Sequence, residues 1–189
     1  MPPDLRGYIS VDIETSGPSP SLHALLAIGA CSILVPETSF YVELKPTSTR
    51  IDPSAMAVHG LSLEALTAHG LELHEATRRF AEWIRTAAPA DQQPVFVSYN
   101  APFDWMFVND AFHRTLAHNP FGHAPLDIRA LYMGQSGLDW KGIRLQDLLD
   151  RHVEGRHLSH NALEDARDQA ALFRSLVGGG RKSGGALRR

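Results

Sequence analysis

A chain of 189 residues, 43% hydrophobic and 21% charged, fits one compact domain with a sizeable core. Its net charge of −3 excludes a protein that coats long stretches of duplex through a basic surface, because neutralising many phosphates needs a positive excess; a small cleft holding a few nucleotides stays compatible with it. The lone cysteine, Cys31, excludes an intramolecular disulfide, and with no leader pattern and no apolar run of roughly 18 residues the chain reads as cytoplasmic, with no membrane partner.

The chain opens on a β-branched, aromatic-rich run over 8–13 that predicts a strand. The run carries Asp12 and Glu14 two residues apart, so both carboxylates leave the same face. Such a pair is costly to bury unless a hard cation sits between its members, and an edge strand with a solvated acidic face is the competing reading. Turn chemistry over 17–20 is followed by predicted strands at 25–35 and 40–44, spaced for an antiparallel meander. From residue 53 the period changes. A short helix ends at Gly60, a helical turn covers 62–66, and Ala76, Phe80, Trp83, Ile84 and Ala87 mark an amphipathic helix over 75–87. Residues 95–98 form a short apolar run of the central, buried strand type, and Pro102 suits the first turn of the helix that follows. Asp104 therefore lies early on a helix that leaves a buried strand, where ligand sites of α/β sheets gather. Residues 126–128 give a further short strand, and 145–149 have helical spacing. Asn161 with Glu164 resembles a capping box, ahead of an apolar face of Ala162, Ala166, Ala170, Phe173 and Val177. The domain is expected over 1–177, with a disordered Gly-rich, basic tail at 178–189. Trp83, Phe80, Trp105 and Phe107 read as core.

Four acids, Asp12, Glu14, Asp104 and Asp165, thus stand on strands or at helix starts beside them, with His160 close to the last. An all-oxygen ligand set with no cysteine cluster points to Mg²⁺ or Mn²⁺ rather than zinc. Two such ions roughly 3.5–4 Å apart are the standard arrangement for phosphodiester cleavage, and four carboxylates balance their charge.

Asp12-Ile13-Glu14-Thr15-Ser16-Gly17 resembles the first motif of the DEDDh 3′-to-5′ exonuclease family, Asn100 through Asp104 the second, and His160-x-Ala162-x-x-Asp165 the third. The motifs stand in family order and carry all five expected residues. The resemblance implies an α/β fold, an RNase H-like mixed five-stranded sheet flanked by helices. It also implies roles: Asp12, Glu14, Asp104 and Asp165 hold two Mg²⁺ or Mn²⁺ ions, and His160 is the general base, apt because its ordinary pKa lies near working pH. Thr15, Asn100 and His59 would contact the 3′-terminal nucleotides, His59 having the closing of its short helix as a competing role. Phe103 and Phe121 match positions where RNase T-like members stack aromatics on the last bases; Pro18 and Val58 stand at two further ones. The segment Val58-His59-Gly60-Leu61 resembles the proofreading epsilon subunit of DNA polymerase III. The expected substrate is the 3′ end of single-stranded DNA or RNA, released as nucleoside 5′-monophosphates, with a homodimer or a polymerase as partner left open. The alternative is a catalytically silent module that binds nucleic acid or a polymerase; such relatives lose metal ligands, and none is missing here.

Overall fold

The computed structural model describes residues 4–153, 155–156 and 159–178. Its sheet has the order β3-β2-β1-β4-β5. Strands β1 (Tyr8–Thr15), β2 (Leu25–Ser32) and β3 (Ser39–Glu43) form the antiparallel meander, and β4 (Val95–Ser98) and β5 (Leu126–Asp127) run parallel to β1. This is the mixed five-stranded sheet that the family resemblance implied. Helices α1 (Pro53–His59), α2 (Leu63–His69) and α3 (Leu73–Ala87) lie between β3 and β4 in sequence. Helix α4 (Ala101–Leu116) joins β4 to β5, and α5 (Ile128–Ser136), α6 (Leu145–His152) and α7 (Ala162–Gly178) follow. Of the expected tail, only Gly178 lies within the described residues, as the last residue of α7.

The alternation in β1 decides which helices go where. Ile9, Val11 and Ile13 point to one core, where Phe80 and Ile84 of α3 meet Phe96 of β4 and Phe107 and Phe112 of α4. The other face of the sheet is covered by α5, α6 and α7 through Cys31, Ile33, Val97, Ile128, Leu149 and Phe173. Asp12 and Glu14, two residues apart in this alternation, emerge on the α7 side of β1.

Several boundaries moved for local reasons. The second strand stops at Ser32 rather than at 35, because the Ser32 amide pairs with Thr38 and Thr38 with Val35, which closes a turn. Helix α5 was not anticipated; Asp127 starts it by accepting the Arg129 amide. Asn161 caps α7 through the Leu163 and Glu164 amides, but Glu164 pairs with Arg167, so only one half of the expected capping box forms.

Gly29 fixes the height of α7. It sits opposite Asp12 in the β1–β2 register, and a Cβ built on it would lie 2.1 Å from the backbone carbonyl carbon of Ala162. A side chain there would hold the start of α7 off the sheet.

Candidate active site

The four acids reach one place from three directions. Strand β1 supplies Asp12 and Glu14, and a register shift between Glu14 and Thr15 ends the regular pairing beside them. Helix α7, seated on Gly29, supplies the buried Asp165 from its first turn. Helix α4 supplies the buried Asp104, also from its first turn, after Asn100 takes the left-handed conformation (φ 60°) that turns the chain from β4 into the helix. Ligand oxygens of Asp12, Glu14 and Asp165 lie within 4.8 Å of one another. Asp104 stands outside that trio, but its charge is the strongest of the three neighbouring charges acting on Asp12.

Crowding and burial show in the proton affinities. Burial, then the charges of Asp104, Glu14 and Asp165, push the Asp12 carboxyl well above the usual range. Glu14 is pushed up to about 8, again by burial first and then by Asp165 and Asp104. Asp104 is raised chiefly by burial, against the hydrogen bond it receives from Ser98. No arginine or lysine pairs with any of the four among the described residues. An uncompensated, all-carboxylate set with no thiolate fits a hard divalent cation.

The remaining partners are neutral donors. The Ser98 hydroxyl donates to Asp104 Oδ2 at 2.7 Å, and Gln169 Nε2 donates to Asp12 Oδ1 at 2.7 Å. Asp165 Oδ1 accepts the amide and hydroxyl of Ser159, and Oδ2 accepts the His160 amide at 3.1 Å. These bonds hold His160 in the left-handed region (φ 54°), with the residue open to solvent at the rim. Ser98, Gln169 and Gly29 escaped the reading of the sequence. A polar residue ending an apolar strand, an amide on an apolar helix face and a glycine inside a strand were their only signals.

The substrate-contact expectations divide. His59 lies beside the site, with Nε2 3.3 Å from the Thr15 carbonyl and Nδ1 accepting the Leu61 amide. That pairing fixes the neutral Nε2–H tautomer, and burial, with some help from the charge of His160, lowers its proton affinity. Both ring nitrogens are therefore engaged inside the protein. The Thr15 hydroxyl is buried and donates to the Gly17 carbonyl, which leaves the surrounding backbone for any substrate contact. Asn100 is exposed, its amide donating to Asp127, and Phe103 is half-buried one residue before Asp104. Phe121 corrects the expectation: it is 3% exposed, edge-on to Phe96 and tilted against Phe80, so it fills the core and offers no face to a base. Phe80 and Phe107 are core, as expected. Among the described residues no helix is long and apolar enough to cross a membrane.

Comparison with known proteins agrees with this geometry. A family model described as an exonuclease of RNase T type matches residues 9–173. The chain is 44% identical over 176 residues to the 3′-5′ DNA exonuclease Cap18 of Escherichia coli, covering 93% of this chain and 94% of that protein. The nuclease domain of 3′hExo, a DEDDh family member bound to rAMP, superposes with a TM-score of 0.74 at 15% identity, over 91% of this chain and 92% of that one. E. coli Exonuclease I in complex with a dT13 oligonucleotide superposes with a TM-score of 0.72 at 19% identity; the match covers 91% of this chain but only 41% of that larger one.

Proposed function

Because the chain belongs to the RNase T exonuclease family and is a 3′-to-5′ exonuclease, we propose that it hydrolyses the terminal phosphodiester at the 3′ end of single-stranded nucleic acid by a two-metal mechanism, with DNA preferred over RNA. The observation that carries the mechanism is the convergence of ligand oxygens of Asp12, Glu14 and Asp165 within 4.8 Å, with the charge of Asp104 acting on Asp12 and Glu14 and, among the described residues, no arginine or lysine paired with them. The DNA preference is supported by the printed activity of the 44% identical relative.

In this reading Asp12, Glu14, Asp104 and Asp165 hold two Mg²⁺ or Mn²⁺ ions. Bound there, the ions would make an attacking water more acidic and would neutralise charge on the leaving oxygen. His160, at the rim and tethered through its amide to Asp165, accepts the proton of that water. Attack at phosphorus breaks the bond to the 3′ oxygen of the penultimate sugar, and the terminal residue leaves as a nucleoside 5′-monophosphate. The backbone around Thr15 and the half-buried ring of Phe103 flank the terminal nucleotide. Affinity would then come from ions held by these acids and from stacking on an unpaired base, with little from a surface whose net charge is −3.

The test is a 5′-labelled oligonucleotide, as DNA and as RNA, incubated with the protein and Mn²⁺. A ladder shortening from the 3′ end is expected, silent in EDTA and restored by metal, with 5′-monophosphates as the released product. Internal cuts in a circular single strand, activity in EDTA, or faster attack on blunt duplex than on single strands would overturn the reading.

A further inference from the structure

We propose that Gln169 is a positioning residue of the metal centre, its side-chain amide setting the direction in which Asp12 presents its carboxylate. The inference rests on the two-metal reading above and adds to it a residue outside the family motifs.

Gln169 lies on α7 one turn beyond Asp165, so the two share a helix face. It is 1% exposed. Its Nε2 donates to Asp12 Oδ1 at 2.7 Å, and its Oε1 accepts the Tyr99 backbone amide at 2.7 Å. Since a backbone N–H can only donate and a carboxylate can only accept, the two partners fix which end of the amide is which. One side chain thus ties β1 and α7, which carry Asp12, Glu14 and Asp165, to the turn that leads from β4 into α4, the helix that carries Asp104.

Packing alone does not call for an amide here. The buried neighbours on this stretch of α7 include Ala166, Ala170 and Phe173, and an unbranched apolar side chain would fill the same volume. What the amide adds is direction. Among the described residues its bond is the one hydrogen bond on the Asp12 carboxylate, and it engages Oδ1. Among the described residues Oδ2 accepts no protein hydrogen bond, and Asp12 offers one carboxylate oxygen to the cluster with Glu14 and Asp165. Groups that orient a metal ligand in this way typically account for roughly 10- to 100-fold in metal affinity or activity.

Gln169→Met keeps the length of the side chain and removes both hydrogen bonds, and Gln169→Asn keeps the amide on an arm too short to span both partners. Thr77→Val is the control: Thr77 is buried on α3 and bonded to Thr115 of α4, on the face of the sheet away from α7, so its loss lowers stability without touching the acids. Mn²⁺ binding is measured by calorimetry on each full-length protein, beside melting in EDTA and turnover at saturating Mn²⁺. Gln169→Met should weaken Mn²⁺ binding by roughly 10- to 100-fold, Gln169→Asn should weaken it less, and Thr77→Val should melt earlier with unchanged affinity. Turnover of Gln169→Met should remain below wild type at saturating metal. A Gln169→Met affinity equal to wild type, or an equal loss in Thr77→Val, would overturn the proposal. Wild-type protein that binds no Mn²⁺ would instead overturn the two-metal reading on which it stands.

Discussion

Glu14→Gln should stabilise the metal-free protein at pH 8 and remove most of its stabilisation by Mn²⁺. The Glu14 carboxyl is raised from 4.5 to about 8, first by burial and then by the charges of Asp165 and Asp104. A group that holds its proton more tightly folded than unfolded costs stability once it must ionise. The cost is absent below about pH 4.5, grows as pH rises, and is complete above about pH 8. At about 1.4 kcal/mol per tenfold change in proton affinity, the rise corresponds to roughly 5 kcal/mol as an upper bound. Glu14 keeps part of its surface open, so solvent screens part of the charge that acts on it, and roughly 2–3 kcal/mol is the working figure. For a chain of this size each kcal/mol moves the midpoint by roughly 2–4 °C, and the variant should melt roughly 5–10 °C above wild type in EDTA at pH 8. At pH 5 the two should nearly coincide. Saturating Mn²⁺ should reverse the order, because ions bound to the native site both relieve the repulsion and add their binding free energy. Thermal melts followed by circular dichroism from pH 5 to 8.5, with EDTA or Mn²⁺, carry the test. Wild-type and Glu14→Gln curves that run parallel across the whole range would refute the argument.

His160→Asn suits the left-handed backbone of that position better than alanine does, and it should lower turnover by roughly 10²- to 10⁴-fold while calorimetric Mn²⁺ affinity stays near wild type. Full turnover would remove His160 from the proton transfer. Gly29→Ala should reduce activity and melting temperature together, although Gly29 has no chemistry, because its Cβ would meet the backbone of Ala162 and lift the start of α7; wild-type activity would show that the contact can relax freely. Phe121→Ala should cost about 3–5 kcal/mol of stability in chemical denaturation and leave oligonucleotide affinity unchanged. Phe103→Ala should weaken oligonucleotide binding by roughly 1–3 kcal/mol in an anisotropy titration, and unchanged affinity would place its ring outside the nucleotide path.

The parts of this protein that local chemistry specifies were readable from residue order. Strand β4 has the bounds that its apolar run suggested, α1 ends at Gly60 in the left-handed region, and the acids of the first and third motifs meet because strand alternation and a helix start place them, with the charge of Asp104 acting on Asp12. Where the reading failed, the deciding information lay across the fold. Phe121 and Phe103 are equally aromatic, and only the third dimension puts one against Phe80 and Phe96 and leaves the other half-buried beside Asp104. Helix α5 was hidden because Asp127, its cap, also ends a two-residue strand and accepts the Asn100 amide. Gly29 and Gln169 acquire meaning only once β1, β2 and α7 are stacked.

Helix α7 holds the contrast that separates this acidic cluster from an ordinary one. Asp168 lies three residues beyond Asp165, is 4% exposed as Asp165 is, and is neutralised by Arg156 at 2.7 Å. Among the described residues Asp165 has no such partner, and the hydrogen bonds on its carboxylate come from Ser159 and His160. The fold therefore does match a buried acid with a basic side chain on this helix, and it stops doing so where Asp12, Glu14 and Asp104 converge. Leaving an ion pair out at one position would be a small cost; leaving four neighbouring carboxylates uncompensated is a large one that neutral donors such as Ser98 and Gln169 offset only in part. Binding positive charge at that point lowers the cost, and protonation is the only other route, as the raised proton affinities of Asp12, Glu14 and Asp104 show. At neutral pH the two routes compete, so metal affinity should fall as the solution is acidified through about pH 8, in step with proton uptake by Glu14.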